Sequence, residues 1–155
     1  MNELFKQLTH GVYVVAVSDG ENSSAFTAAW VMQVSFKPPL LAIAVNPKNY
    51  SYNILKKSGV CTVNVLGQNQ LAIAEHFGKP HKDKMAGFVW QYGKTLAPFL
   101  VNSLAYFDCK ISDYMKAGDH DIVVCEVLDG KILQQFDKPL LYNQTSNMDG
   151  SETLY

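Results

Sequence analysis

Four short segments of the sequence hold the residue types that could do chemistry. They are SSAFTAAW (residues 23–30), NPKNYSY (residues 46–52), HFGKPHKDKMAGF (residues 76–88) and AGDHD (residues 117–121). The first is poor in bulky side chains, the next two are rich in hydroxyls or lysines, and the fourth places a histidine in a turn. Small residues allow a ligand to approach the main chain, while lysines and hydroxyls can hold an anion.

The first two segments each have a functional and a purely structural interpretation. Ala28 and Ala29 would let a flat ligand approach the main chain closely, or they serve tight packing of a strand against its neighbour. Lys48 and Ser51 stand beside the predicted start of a helix, whose free N–H groups and dipole favour an anion. The same residues are compatible with an ordinary capped turn, so both interpretations stay open.

The third and fourth segments are equally open from the sequence alone. Lys79, Lys82 and Lys84 could line an anion site, or they form a solvated charge run. His120 could serve a site, or it is an ordinary residue of a turn between two strands. The chain contains 13 lysines and no arginine, which excludes bidentate guanidinium clamps on phosphate. Any phosphate must therefore be held by lysine charges, hydroxyls and backbone N–H groups.

Several common catalytic and metal-binding motifs are missing. The sequence has no G-x-G-x-x-G for a dinucleotide fold and no G-x-S-x-G nucleophile elbow. The run from Gly87 to Thr95 resembles a phosphate-binding loop, but the residues between its glycines number five and favour a strand. The histidines form no H-E-x-x-H motif and the cysteines form no C-x-x-C pair, so we expect no metal site.

Composition indicates a globular chain with one domain. Its 155 residues are 48% hydrophobic and 17% charged, with a formal net charge of −1 and a pI near 6.4. This balance predicts neither nucleic-acid nor membrane binding, and no apolar run is long enough to span a membrane. Cys61, Cys109 and Cys125 lie in apolar runs and predict buried thiols in a reducing compartment, the cytoplasm. The start of the chain shows no signal-peptide pattern.

Hydrophobic patterns predict the elements that must position the four segments. Short β-branched runs separated by turns predict seven or eight strands with two or three short helices, in a closed or nearly closed barrel. Strands are expected at residues 12–17, 25–34, 40–45, 60–66, 88–92, 104–111, 122–127 and 140–143. Helices are expected near residues 4–8, between a Ser51 cap and Gly59, and at residues 69–77. The continuous apolar run at residues 40–45 predicts a strand covered on both faces.

In this order the segments resemble the flavin reductase-like, FMN-binding split-barrel family. The resemblance is carried by LTHGVYVVAVSDG, SSAFTAAWVMQVSFKPPLLAIAV, SGVCTVNVL, HFGKPHKDKMAGF and LAYFDCKISDYMKAGDHDIVVCEVLDGKIL. It is especially close to family members fused to rubredoxin or to diiron flavoproteins. The resemblance implies a mainly β, Greek-key split barrel with two or three short helices, formed as a single domain over residues 1–155.

The resemblance also implies a set of site residues. Main-chain N–H groups of the FTAAW strand would meet one edge of the flavin, and the VSF stretch would face its pyrimidine end. Residues after the next strand and a lysine of the DK pair would hold the ribityl chain and the phosphate. The implied cofactor-binding residues are Thr27, Ala28, Ala29, Trp30, Val34, Ser35, Asn46, Lys48, Tyr50, Ser51 and Lys84, and the implied catalytic residue, which would orient the nicotinamide, is His120.

The implied activity is hydride transfer from NADH or NADPH to bound FMN. Electrons would then pass to free flavin or to a redox partner protein such as a rubredoxin. Members of the family are usually homodimers, and four aromatic residues that we expect to be exposed would suit the interface: Tyr50, Tyr52, Trp90 and Tyr142. Two alternatives stay open, namely an FMN electron carrier without a nicotinamide site and a β-barrel binding module without flavin.

Overall fold

A computed structural model of the chain describes residues 1–80 and 82–145. Within these residues the fold is mainly β, with nine strands, three short α-helices and one 3₁₀ turn, and no helix is long and apolar enough to span a membrane. The helices are α1 (Asn2–Phe5), α2 (Tyr50–Ser58) and α3 (Leu71–Gly78). The strands are β1 (Tyr13–Ser18), β2 (Ser23–Ala28), β3 (Val31–Phe36), β4 (Pro39–Val45), β5 (Val60–Val65), β6 (Trp90–Tyr92), β7 (Pro98–Leu100), β8 (Ala105–Ala117) and β9 (His120–Ile132).

Seven of the strands in the described part of the chain form one antiparallel sheet, in the order β2-β1-β5-β8-β9-β4-β3. Its centre is the long hairpin of β8 and β9, in which Ala117 pairs with His120. Gly118 in the connecting turn has a φ of +67°, which glycine adopts without a steric penalty. Strands β6 and β7 form a separate two-stranded sheet.

The two edge strands, β2 and β3, are consecutive in sequence but lie at opposite ends of the sheet. Ala29 and Trp30 join them, and the Trp30 carbonyl accepts a hydrogen bond from the Ala44 N–H of β4. The sheet must therefore curl until its edges approach each other at this link, although no ladder joins the edges of the described sheet. The predicted mainly β split barrel is confirmed, whereas one strand over residues 25–34 is wrong, because the chain changes sheet edge at Ala29.

Strand β1 is covered on both faces, because its alternate side chains enter two different apolar clusters. Val15 and Val17 belong to the cluster formed with β4, β8, β9 and α2, inside the curled sheet. Val14 and Ala16 belong to the cluster formed with α3 and β7 on the outer face. This alternation follows from the two-residue period of a strand. Strand β2 pairs with β1 along its whole length and is therefore held between the same two clusters.

Several predicted elements differ in detail from the structure. Strand β4 alternates buried and half-buried residues, so the run at residues 40–45 is fully covered on one face only. Residues 140–143 form a single bridge and part of the 3₁₀ turn rather than a strand. The cap of α2 is Asn49 rather than Ser51, because the Asn49 side chain accepts the Ser51 N–H. Gly59 ends α2 as predicted, with a φ of +68°.

Candidate functional site

A cavity of about 1290 Å³ opens where the end of β2, the β2–β3 link, the start of α2 and the loop after α3 meet. This volume exceeds the range of about 300–1,000 Å³ that is usual for small-molecule sites. Ten of the predicted site residues line it: Thr27, Ala28, Ala29, Trp30, Asn46, Lys48, Tyr50, Ser51, Lys84 and His120. The fold thus brings all four segments singled out in the sequence to one place.

Val34 and Ser35 lie outside the part of the cavity lining that the described residues form. Both belong to β3, at the opposite edge of the sheet from β2, and Val34 is 43% exposed. Their expected place at the pyrimidine end of the flavin came from the resemblance to the flavin reductase-like family. In the described structure they follow the β2–β3 link, on the other edge of the sheet.

The end of β2 forms a wall that is poor in side chains. Phe26 and Ala28 belong to the inner core cluster and are at most 8% exposed. Thr27 lies between them and donates its hydroxyl to the Ala74 carbonyl of α3 at 2.6 Å. Thr27 therefore uses its polar group to hold α3, and the wall offers main chain and small groups such as Ala29 to a ligand. A flat ring can approach such a wall closely.

The start of α2 places amide and hydroxyl groups at the cavity. The Asn46 side chain accepts the Lys48 N–H at 3.0 Å, and the Asn49 side chain accepts the Ser51 N–H at 3.0 Å. The Ser51 hydroxyl is buried and bonds to the Ser24 hydroxyl of β2 at 2.8 Å. These bonds fix the first turn of α2 against β2, so that the positive end of the helix dipole lies at the cavity. This corner favours an anion.

Lys84 is a half-buried lysine in the loop after α3, and main-chain oxygen atoms hold its ammonium group. The ammonium donates to the Ala25 carbonyl of β2 at 3.3 Å and to the Phe77 carbonyl in the last turn of α3 at 3.2 Å. Burial lowers the pKa of Lys84, because desolvation disfavours the charged form. An anion bound in the cavity would oppose this effect and stabilise the ammonium.

Trp30 and His120 form an aromatic pair in the cavity lining. Their ring centroids are 4.8 Å apart and the ring planes are inclined by 54°. The Nδ1 atom of His120 lies 2.7 Å from the Asp119 carboxylate, which fixes the orientation of the imidazole. The pair presents an apolar aromatic surface and a polar edge to the cavity, which suits contact with a planar ring.

The aromatic residues expected at a dimer interface do not share one environment. Tyr50 is 62% exposed, whereas Trp90 and Tyr142 are half-buried. Tyr52 is only 4% exposed, and its hydroxyl donates to the Asp121 carboxylate. The expectation that Tyr52 is exposed is therefore wrong, because the first turn of α2 directs it into the inner core cluster.

Three residues contribute to the site without having been predicted. Ser24 bonds to Ser51, Asp119 orients His120, and His76 contacts the Lys84 carbonyl. All three stand inside segments that the sequence singles out, and a search for hydroxyls and carboxylates beside site residues could have found Ser24 and Asp119. The His76 contact joins a helix to the loop that follows it, and no local pattern predicts such a contact.

A family comparison decides what kind of protein carries this cavity. The model of the flavin reductase-like domain matches residues 5–151, nearly the whole chain. The chain belongs to this family. The resemblance inferred from the sequence is thereby confirmed, including its likeness to fused flavoproteins.

Relatives of this flavin reductase-like domain differ in how much they contain besides it. FMN reductase (NADH) RutF of Agrobacterium fabrum is 32% identical over 138 residues, covering 88% of this chain and 79% of that protein. Diflavin flavoprotein A 1 of Synechocystis is 30% identical over 130 residues, covering 81% of this chain but 23% of that protein. The chain spans about a fifth of the length of the diflavin flavoproteins that it matches.

Solved structures share the fold. NADH:FAD oxidoreductase SgcE6 of Streptomyces globisporus, in complex with NAD and FAD fragments, has a TM-score of 0.86 at 27% identity and covers 93% of this chain and 87% of that chain. BorF, the flavin reductase component of a bacterial two-component tryptophan halogenase, has a TM-score of 0.81 at 28% identity and covers 94% and 92%. The split barrel described above is therefore the fold of flavin reductases.

Proposed function

We propose that this flavin reductase-like domain binds FMN in the cavity and reduces it with NADH or NADPH. The observation that carries the proposal is the junction of a wall poor in side chains, at the end of β2, with an anion-binding corner at Ser51 and Lys84. FMN combines a flat ring with one phosphate, so it matches both parts of the cavity. The relatives named NADH-dependent FMN reductase and NADH:FAD oxidoreductase support the same reaction class.

Different residues of the cavity would hold different parts of the cofactor. Thr27, Ala28 and Ala29 would offer main chain to the ring, while residues at the start of α2 would hold the ribityl chain and phosphate: Asn46, Lys48, Tyr50 and Ser51. Lys84 would offset part of the phosphate charge, which is about −1.5 to −2 near neutral pH for a phosphate ester. When bound, the flavin supplies hydride acceptance and onward electron transfer. The protein contributes placement and electrostatics, so no protein base or nucleophile is needed.

We assign the nicotinamide to the aromatic pair of Trp30 and His120. The Asp119 carboxylate holds the His120 ring in one orientation, and Trp30 adds an apolar face beside it. Such a pair can restrict the approach of a planar donor, which matters because hydride transfer requires reacting atoms within about 3–3.5 Å. Trp30 and His120 are therefore proposed to orient the donor and not to exchange protons with it.

Spectroscopy of the purified chain tests the proposal directly. We expect a visible flavin absorption band, present as isolated or after addition of FMN. Anaerobic stopped-flow mixing with NADH and with NADPH should then bleach the band with at least one of them. A protein that binds no FMN, even when FMN is added in excess, would refute the proposal.

A second candidate is an FMN electron carrier without a nicotinamide site. It is favoured by the contact between the Trp30 and His120 rings, 4.8 Å apart, because the two rings would have to separate before a nicotinamide ring could enter between them. In that case neither nicotinamide would bleach the flavin band, whereas dithionite would. The same stopped-flow experiment therefore separates the two functions.

We further propose that the domain acts as a homodimer and passes its electrons to free flavin or to a redox partner such as a rubredoxin. The edge strand β3 exposes three large apolar side chains, Met32, Val34 and Phe36, which a second subunit would cover. Light scattering should give twice the mass of one chain. A monomer at micromolar concentration would contradict the dimer.

We also propose that residues 1–155 form a single domain that works in a reducing compartment, the cytoplasm. Cys61, Cys109 and Cys125 support the second point, because all three thiols are buried and free. Titration of the denatured protein with a thiol reagent, under conditions that block exchange, should find all three thiols reduced after expression in the cytoplasm.

A further inference from the structure

Two ring N–H groups hold neighbouring carbonyls of the loop after α3. His76 Nε2 lies 2.8 Å from the Lys84 carbonyl oxygen, and Trp90 Nε1 donates to the Met85 carbonyl at 2.9 Å. A carbonyl oxygen only accepts hydrogen bonds, so Nε2 of His76 carries the proton in this contact. The peptide groups on either side of Met85 are therefore anchored by side chains of α3 and β6.

The His76 ring is itself held in place by packing. It meets the Phe77 ring edge-on, at a centroid distance of 4.8 Å, and lies 4.7 Å from the Phe88 ring. Phe77 is 1% exposed and belongs to the outer core cluster. His76 thus connects the rigid outer core to the main chain of Lys84.

Hydrogen bonds to two carbonyl groups fix the orientation of the Lys84 ammonium group. An ammonium group has three N–H bonds, and in the described structure two of them point to the carbonyls of Ala25 and Phe77. The third is available to a ligand in the cavity. Ala25 follows Ser24, whose hydroxyl contacts Ser51 at the start of α2. The ammonium and the start of α2 therefore flank the same part of β2.

We infer that His76 is a positioning residue for the cofactor phosphate: its Nε2–H fixes the Lys84 main chain so that the ammonium can bridge β2, α3 and the phosphate. The inference rests on the proposed function and deepens it, since it assigns His76 to one group of the ligand. Without the His76 bond, the Lys84 main chain would no longer be fixed. The ammonium would keep its charge but would be held less firmly at the Ala25 and Phe77 carbonyls, because the lysine stem is flexible.

The comparison of FMN with riboflavin isolates this effect, because riboflavin lacks the phosphate. Both dissociation constants are measured on the full chain by flavin fluorescence. Lys84→Met should weaken FMN binding about tenfold or more and leave riboflavin binding within about twofold. His76→Phe keeps an aromatic ring but removes the donor, and should lower the preference for FMN over riboflavin by about three- to tenfold.

Conservative variants distinguish positioning from packing. His76→Gln retains an N–H donor near the position of Nε2 and should keep the preference within about twofold of the wild type. His76→Asn, whose amide is too short to reach the Lys84 carbonyl, should lose the preference as His76→Phe does. If His76→Phe does not fold, the comparison of His76→Gln with His76→Asn still tests the inference. Lys94→Met removes an exposed lysine that pairs with Asp129, and should change nothing.

A double mutant and a neighbouring anchor complete the test. In the Lys84→Met background, His76→Phe should cause no further change in the preference for FMN, because both act through one ammonium. Equal weakening of FMN and riboflavin by His76→Phe would overturn the inference, as would an effect of His76→Phe that persists without Lys84. If Trp90→Phe lowered the preference for FMN over riboflavin as much as His76→Phe does, the preference would depend on the order of the whole loop and not on His76. That result would also overturn the inference. A wild-type chain that binds neither flavin would instead refute the proposed function.

Discussion

The cavity and the interior under the β6–β7 hairpin both contain hydrogen-bonded polar side chains. In the interior, Thr62, Asn64 and Asp108 are fully buried, and protein partners satisfy them. The Asn64 amide donates to the Val14 carbonyl and accepts the Leu100 N–H. In the cavity, Thr27 and Lys84 are bonded to main chain and also line open space. We therefore expect enclosed polar groups to contribute stability, and polar groups that line the cavity to contribute binding.

The difference has a measurable consequence. A change in the interior network should alter the free energy of unfolding and spare flavin affinity. A change in the cavity wall should alter flavin affinity and spare stability, because the cavity is a place where the protein does not pack against itself. Substitutions in each region, followed by measurements of both unfolding free energy and flavin affinity, test this contrast.

The largest effect is expected for Asp108→Ala in the interior network. The Asp108 carboxylate accepts the Thr95 N–H at 3.0 Å and also the Thr95 hydroxyl, which holds the β6–β7 turn. Its removal leaves two part-buried donors of Thr95 without their partner and opens a cavity at the fully buried Asp108 position, so urea unfolding should show a loss of about 3 kcal/mol. Flavin affinity of the folded fraction should stay within about twofold. A large loss of flavin affinity in Asp108→Ala, at unchanged free energy of unfolding, would contradict the separation of the two regions.

Ala29→Leu should have the next largest effect, and on binding. Ala29 is half-buried and lines the cavity, so a larger side chain enters the space assigned to the ring. FMN affinity should fall about thirtyfold, equivalent to about 2 kcal/mol, and the urea midpoint should change little. Ala29→Ser is the matched control, since it keeps the size and should bind FMN normally. Unaltered FMN affinity in Ala29→Leu would show that the ring does not lie against this wall.

Thr27→Val tests the boundary between the two regions. The substitution keeps the shape of the side chain and removes the hydrogen bond to the Ala74 carbonyl. Stability should fall by about 1 kcal/mol, because one part-buried hydrogen bond is lost. The main chain of Thr27 is unaffected, so FMN affinity should stay within about threefold. More than tenfold weaker binding at wild-type stability would mean that the hydroxyl itself contacts the ligand.

The smallest effect is expected at the β1–β2 turn, which belongs to neither region. Backbone N–H groups of Asn22 and Glu21, together with the Lys57 ammonium, lower the pKa of Asp19 in the folded state. The ionised carboxylate therefore adds stability at pH values above its unfolded pKa, and this contribution disappears as the pH falls through the folded pKa. Asp19→Asn should slightly lower the urea midpoint at pH 7, and the difference from wild type should vanish in strong acid. An equal difference at both pH values would exclude this origin.

Much of the fold follows from local patterns in the sequence. Asp19-Gly20 marks the first hairpin, and Gly59 ends α2 with the positive φ that glycine tolerates. The predicted core strands were close to those observed because β-branched runs between turns are short and distinct. The family relationship, confirmed over residues 5–151, was evident from the ordered segments.

The candidate site was predicted less completely than the fold. Residues such as Ser51 and Lys84 were singled out by type, because hydroxyls and lysines suit phosphate. Val34 and Ser35 were included because of the resemblance to the family, and in the described structure they lie on β3, outside the cavity lining. The run QTSNMDGSETLY, residues 144–155, predicts a loose polar tail, and its residues 146–155 lie outside the described residues.

The sequence alone was enough to single out the four segments that line the cavity, most of the turns between them, and membership of the flavin reductase-like family. These properties depend on side-chain type and on spacing over a few residues. The tertiary structure alone decided which groups meet: Thr27 bonds to Ala74, 47 residues away, and Lys84 bonds to Ala25, 59 residues away. Contacts of this range follow from the curl of the whole sheet, because only its closure brings β2, α2 and the loop after α3 around one cavity.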